Sequence, residues 1–358
     1  FVNTTSEKQV VAQKAAQELA NLRPQPPALR AFDAGVGDGT VLARLMRSLH
    51  QRFPRTPFYI VGKEISLEDA RLALEKTADR FFEHPETVLV LTNMHYAEAP
   101  WLTPARNAEA MIWHEVALRG NSSAEFEEQI TALHPFLAEH WRAKVSEKTG
   151  NPVYEKPSVL VLFREDCRFL LDSLIPKVGA GRADYDFILA SQPYRARASA
   201  TFKADKVVAP LARALGPGGR LLGVNSCGGD PGMEIIQKIW PDEQPFATNR
   251  HDVLAGVKSA LGKAARDYAF IANADARAIF RYDMHTLPNE IAADDDIGTS
   301  TLLAAWNAAI YVAQIEDAGL AVALRTEDYL RATRDVLRKH GALWFFDESY
   351  VIARKRDD

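Results

Sequence analysis

The chain has 358 residues, 47% of them hydrophobic, which is enough material for one large domain or two smaller ones. Its formal net charge of -4, with the basic residues dispersed, excludes the electrostatic footprint of a nucleic-acid or anionic-membrane binder. Two cysteines, Cys167 and Cys227, argue against a disulfide framework or a cysteine-rich metal site, and no apolar run reaches the roughly 18–20 residues of a membrane span.

No signal-peptide pattern opens the sequence, which begins at Phe1, and the expected setting is cytoplasmic. Residues 6–22 predict an amphipathic helix, ended by the proline-rich "RPQPPAL". "LRAFDAG" reads as a short buried strand and "GTVLARLMRSLHQRF" as a helix with apolar spacing of three and four. "PFYIVGKE" is a second strand, "SLEDARLALEKTADRFF" a helix with Ser66 as its N-cap, and "ETVLVLTN" a third strand. This βαβαβ order predicts an α/β fold of Rossmann-like type: an open, mostly parallel sheet with helices on both faces.

Beyond Pro100 two β-α-β units compete for the next two strands. One runs from "AEAMIWHEVAL" through a helical stretch at 123–146 to "PSVLVLFRED"; the other runs from "DYDFILASQPY" through a helix at 203–215 to "GPGGRLLGVNS". The later unit is favoured, because helix–"GPGG"–strand is a tight connection in which Pro217 stops the helix. Residues 1–100 then start the ligand-binding domain, 101–182 form an insertion or cover, and 183–250 complete the domain. Residues 251–358 add strands "YAFIAN", "RAIFRYD" and "ALWFFDESYVIARK" and helices at 299–317 and 326–340.

The chemistry is expected at "FDAGVGDG", where Gly35, Gly37 and Gly39 follow the first strand. In an open α/β sheet, ligands sit beyond the carboxyl ends of the strands, where strand order reverses. Glycines there let the backbone turn sharply and approach a ligand closely. Asp33 places a carboxylate beside the turn, which suits a cationic group and would repel a pyrophosphate; the spacing is also not that of a dinucleotide fingerprint.

The pattern Asp33-x-Gly35-x-Gly37-x-Gly39 resembles the first motif of the class I S-adenosylmethionine-dependent methyltransferases. The resemblance implies S-adenosylmethionine as cofactor, with Glu64, at the end of the second strand, on the ribose hydroxyls. It implies adenine contacts from Asn93 and Met94, at the end of the third, with Asp166 as the rival residue. A small-molecule substrate is expected, since no basic stripe with aromatics suggests nucleic acid. Two alternatives stand beside it. One is an aminopropyltransferase, which "FREDCRFLL" followed by "DYDFIL" resembles, and the other is a non-catalytic module of the same fold.

For the acceptor, "ASQPYR" is similar to the Asn/Asp-Pro-Pro-Tyr element with which some methyltransferases hold a planar amino group. Gln192 and Tyr194 are the candidate substrate contacts. "FRYDMHTLPNEI" collects Tyr282, His285 and Glu290, and His285 is the candidate general base, its ordinary pKa lying near neutrality. Trp306 and Tyr311 on a largely apolar helix are expected to pack, with Asn307 between them, while His114 and Glu115 matter only if the earlier β-α-β unit supplies the fourth strand.

Overall fold

The structure, a computed structural model, describes residues 4–147, 150–286, 290–291 and 297–356. The strands in chain order are β1 (Leu29–Asp33), β2 (Phe58–Lys63), β3 (Thr87–Thr92), β4 (Ile112–Leu118), β5 (Ala143–Val145), β6 (Pro152–Tyr154) and β7 (Ser158–Arg164). They continue with β8 (Tyr185–Ser191), β9 (Leu215–Ser226), β10 (Tyr268–Ile271), β11 (Ile279–Asp283) and β12 (Trp344–Arg354). Among the described residues ten of these form one sheet in the order β10-β12-β9-β8-β1-β2-β3-β7-β4, with β11 also on β12. β1 pairs in parallel with β2 on one side and β8 on the other, so the strand order reverses there.

β2, β3 and β7 are buried at every position. Such continuous apolar runs are those of strands covered on both faces. One face packs against helices Glu7–Glu18, Thr40–Arg52 and Leu67–Glu75, through Val11, Leu45, Leu74 and Ile60. The other packs against the helical stretch 200–213 and helix Arg250–Leu261, through Val208, Val257 and Phe32. Ser66 caps its helix as expected, accepting from the Asp69 backbone N–H at 3.2 Å.

β8 pairs with β1 and β9 with β8, and they carry the fourth and fifth positions of the parallel set. The earlier β-α-β unit is also real, since β4 and β7 are parallel to each other. β7 meets β3 antiparallel, so this pair extends the sheet from its far edge in the opposite sense. The predicted helix 123–146 stops at His140 and is followed by the β5–β6 hairpin. Helices Pro231–Ile239, Thr299–Ala313 and Asp328–His340 build a third apolar cluster with Tyr282 and Phe345. No helix among the described residues is long and apolar enough to cross a membrane.

Candidate functional site

A cavity of about 720 Å³ opens at the carboxyl edge where the strand order reverses. Four strand ends supply its floor: Asp33 from β1, Lys63 and Glu64 from β2, Ser191 and Gln192 from β8, and Ser226 from β9. Its size suits a drug-sized or cofactor-sized ligand. The remaining walls come from Glu7, Lys8 and Val11 of the first helix, Tyr96, Tyr282, and Asn307 to Ile315 of the C-terminal helical region. No described residue of 101–182 lines it; the first helix and 307–315 wall it instead.

Backbone bonds hold the glycine turn open. The N–H of Ala34 donates to Leu189 at 2.8 Å and that of Val36 to Lys63 at 3.1 Å, pinning the turn to both neighbouring strands. Gly35 donates to Asp33 Oδ1 at 3.2 Å and Gly37 to Glu64 Oε2 at 2.8 Å. Glu64 Oε1 in turn accepts from Ile65 and Ser66. A Cβ on Gly35 or Gly37 would meet nothing nearer than the Ser191 carbonyl oxygen at 3.9 Å or Lys8 Nζ at 3.7 Å, so both face the cavity. Gly39 does not. A Cβ there would lie 2.5 Å from Ala73 Cα, and its freedom is used to pack one helix against the next.

Burial pushes the Asp33 carboxyl up to about 7; the Gly35 N–H opposes the shift and the charge of Glu64 adds to it. Its Oδ2 is buried with no hydrogen-bond partner. Glu7 is likewise raised to about 7 by enclosure, against the pull of Lys8. Asp38, just outside, behaves oppositely. Burial works to raise it, but bonds from Lys76, Lys8 and Thr40 hold it well below the usual carboxylate range. Lys8 on the cavity wall is thus committed to Asp38 at 2.6 Å. Lys63 is lowered by burial, against the charge of Glu64, and lies 4.8 Å from the Tyr96 ring centre.

Several expected residues stand elsewhere. Asn93 is buried, but its Oδ1 accepts from Ser158 at 2.8 Å and its Nδ2 donates to Lys156 at 3.0 Å, tying β3 to the start of β7. Met94 belongs to the sheet core. Asp166, the rival for the adenine contact, pairs with Arg164 at the end of β7, outside the cavity wall. Tyr194 turns inward, its hydroxyl 3.1 Å from Asn225 Oδ1 and 3.4 Å from that of Tyr350. Gln192 does reach the wall, at φ 48°, with its amide on Ser226 and Asp347.

His285 is exposed, with its backbone N–H on Thr4, and lies outside the cavity wall. His285→Ala is therefore expected to leave ligand affinity and turnover unchanged, a matter for calorimetry and initial rates. Of its loop, Pro288 and Asn289 lie outside the described residues, and Glu290 is not a wall residue. Trp306 packs on Trp240 at 5.8 Å, whereas Asn307 and Tyr311 of the same helix line the cavity. His114 stacks on Phe136, and Glu115 pairs with Arg168, both at the far edge.

Sequence reading missed Glu7, Lys8, Tyr96 and Asp347. Glu7 looks like an ordinary first-turn helix acid. Asp347 carried a signal: an acid inside the apolar run "LWFFDESYVI" must be buried if the strand is central, and burial calls for a partner.

No family model and no curated protein matches the chain in sequence. Among solved structures, it is similar to a protein from Galdieria sulphuraria described as a sarcosine dimethylglycine methyltransferase. The identity is 10%, 98% of this chain and 85% of that one are covered, and the TM-score is 0.40. It is also similar to a geranyl diphosphate methyltransferase, at 12% identity, 96% and 77% coverage and a TM-score of 0.35. A third is phosphoethanolamine N-methyltransferase 2 of Haemonchus contortus, at 12% identity, 96% and 53% coverage and a TM-score of 0.31. Likeness at this level assigns no substrate to the chain.

Proposed function

We propose that this chain is a class I S-adenosylmethionine-dependent methyltransferase acting on a small molecule. The carrying observation is the cavity at the reversal point, where Asp33 presents a buried, unpartnered carboxylate oxygen beside an open glycine turn. Burying such a group without a partner is costly, and an entering ammonium supplies the partner. The uncovered backbone at Gly35 and Gly37 leaves room for an extended ligand, and Glu64 Oε2, with one backbone donor, keeps capacity for a hydroxyl. Three wall carboxylates, Glu7, Asp33 and Glu64, disfavour a polyphosphate.

The cofactor, when bound, supplies a methyl group on a positively charged sulfur, ready for in-line displacement. The residues of the chain hold that donor at Asp33, Glu64 and the glycine turn. The first helix and the 307–315 segment wall off water, and the remaining task is alignment of the acceptor.

Titration calorimetry with S-adenosylhomocysteine tests this. Wild type binds, and Asp33→Asn weakens binding by roughly 1–3 kcal/mol, the cost of a lost charged hydrogen bond. Affinity rises with pH as Asp33 ionises through about 7, then declines at higher pH as the ligand's own α-amino group, less acidic than a chain N-terminus because a carboxylate stands beside it, loses its proton. Stability without ligand runs the other way. The native carboxyl keeps its proton up to about 7, while the unfolded one loses it near 3.8, so the native state binds more protons in that window. Stability therefore falls as pH rises across it, by at most about 1.4 kcal/mol per pH unit from this group, and Asp33→Asn removes that share. No binding by wild type, or equal binding by the variant, overturns the proposal.

A further inference from the structure

A second part of the cavity wall brings together residues from four elements: Glu7 of the first helix, Tyr282 of β11, Gln192 after β8 and Ser226 of β9. Behind Gln192 and Ser226 lies Asp347 of β12, fully buried, whose Oδ1 accepts from Ser226 Oγ at 3.0 Å and Gln192 Nε2 at 3.2 Å. Its Oδ2 has no partner. The Tyr282 hydroxyl, on a side chain 0% exposed, lines the cavity and makes no hydrogen bond of good geometry, although the Ser226 side chain stands near it. An acidic cluster alone would say little, but an orphaned hydroxyl and an orphaned carboxylate oxygen beside it are unfilled hydrogen-bonding capacity.

The charges around this patch are one-sided. The cation on the wall next to Glu7, Lys8, is held by Asp38, which also takes Lys76. Arg250 is taken up by Glu348 and Asp275. Asp230, a further acid close to Asp347, spends its oxygens on the backbone N–H groups of Met233 and Phe346. Lys63, the other cation on the cavity wall, stands with Glu64 and the Tyr96 ring at the β2 end, so what is left here is carboxylate charge with no committed cation.

Resting on the methyltransferase reading, we infer that the methyl acceptor is an amine, bound as its ammonium by Glu7 and the Tyr282 hydroxyl oxygen on the wall, with Asp347 behind Gln192 and Ser226 attracting it through them. An ammonium carries three N–H donors and the positive charge that this patch lacks. The apolar wall beside it, Ile310 and Ile315 with Tyr311, suits an amine on a hydrocarbon or aromatic stem. The Glu7 carboxylate has a second task. The ammonium must give up one proton before its lone pair is free, so an N–H bond breaks as a carboxylate O–H bond forms. That lone pair then takes the methyl carbon, with the former C–S electrons staying on sulfur, and the product keeps the positive charge. Burial pushes Glu7 up to about 7 against the pull of Lys8, which makes it a competent proton acceptor near neutrality, and Asp347 is pushed upward as well, by burial and then by the charge of Glu7.

The test uses the full chain saturated with S-adenosylhomocysteine and two probes of matched shape, benzylamine and benzyl alcohol, titrated calorimetrically at neutral pH. The amine is expected to bind at least about ten-fold more tightly than the alcohol, and Asp347→Asn and Tyr282→Phe should each remove most of that preference. Both variants keep wild-type affinity for S-adenosylhomocysteine, which separates the acceptor patch from the donor site. Should Asp347→Asn melt before assay, Tyr282→Phe alone decides, since it deletes one oxygen and keeps the packing. Equal binding of the two probes, or a preference that survives in Tyr282→Phe, overturns the inference. A wild-type chain that binds no S-adenosylhomocysteine sinks the methyltransferase reading instead, and the inference with it.

Discussion

Glu348→Ala is expected to lower the stability of the whole domain by about 3–5 kcal/mol, the range for breaking one side of a buried ion pair. Glu348 is 2% exposed and its carboxylate is fully used. Oε1 accepts from Asn225 Nδ2 at 3.1 Å and from the Arg250 backbone N–H at 2.7 Å, and Oε2 accepts from Arg250 Nη1 at 2.9 Å. One side chain thus joins β12 to β9 and seats the first turn of helix Arg250–Leu261. Truncation leaves a buried guanidinium with only Asp275 and the Asn273 carbonyl, and strips a helix N–H of its acceptor. Urea unfolding monitored by circular dichroism measures the loss. Glu348→Gln, which keeps an acceptor for the N–H groups, should lose less. A wild-type midpoint for Glu348→Ala would mean that the network contributes nothing net.

Gly39→Ala should cost about 2–4 kcal/mol, from roughly 1–3 for overpacking and roughly 1 for a left-handed backbone angle. The added methyl would sit 2.5 Å from Ala73 Cα and 2.9 Å from Ala73 Cβ, at φ 79°, and neither neighbour is a flexible side-chain end. Gly37→Ala, at φ 53° and meeting only Lys8 Nζ at an ordinary 3.7 Å, should cost only about 1 kcal/mol. The ligand effects reverse: the Gly37 methyl projects into the cavity and lowers S-adenosylhomocysteine affinity, while the Gly39 methyl acts through helix Leu67–Glu75. Thermal melts and calorimetry on both variants separate the two glycines. Equal losses in both measurements would show that the motif works as one unit.

The sequence by itself determined the parts of this protein that local chemistry dictates. The runs at β1, β2, β3, β8 and β9 each hold a mostly apolar stretch bounded by polar or turn residues, which reads as a covered strand. The helices between them carry the three-and-four spacing that makes one apolar face. With that order, the reversal beside β1 and the position of Asp33, Glu64 and the glycine turn at the carboxyl edge follow.

Only the tertiary structure decided which residues meet across long separations. Asn93 had the right place at the end of β3, but antiparallel pairing with β7 put the Ser158 and Lys156 backbone within its reach and took its amide. Tyr194 followed the right strand, yet its ring turned into the core toward Asn225 and Tyr350. Glu7, Tyr282 and Asp347 lie in the first helix, the eleventh strand and the last, and nothing in periodicity or spacing links residues so distant. Their association is a consequence of β11 and β9 both pairing with β12 and of the first helix lying across the strand ends. Hydrophobic pattern sets which face of each element is buried. Which polar groups that burial then forces together depends on the global path of the chain, and that is where the specificity of this cavity resides.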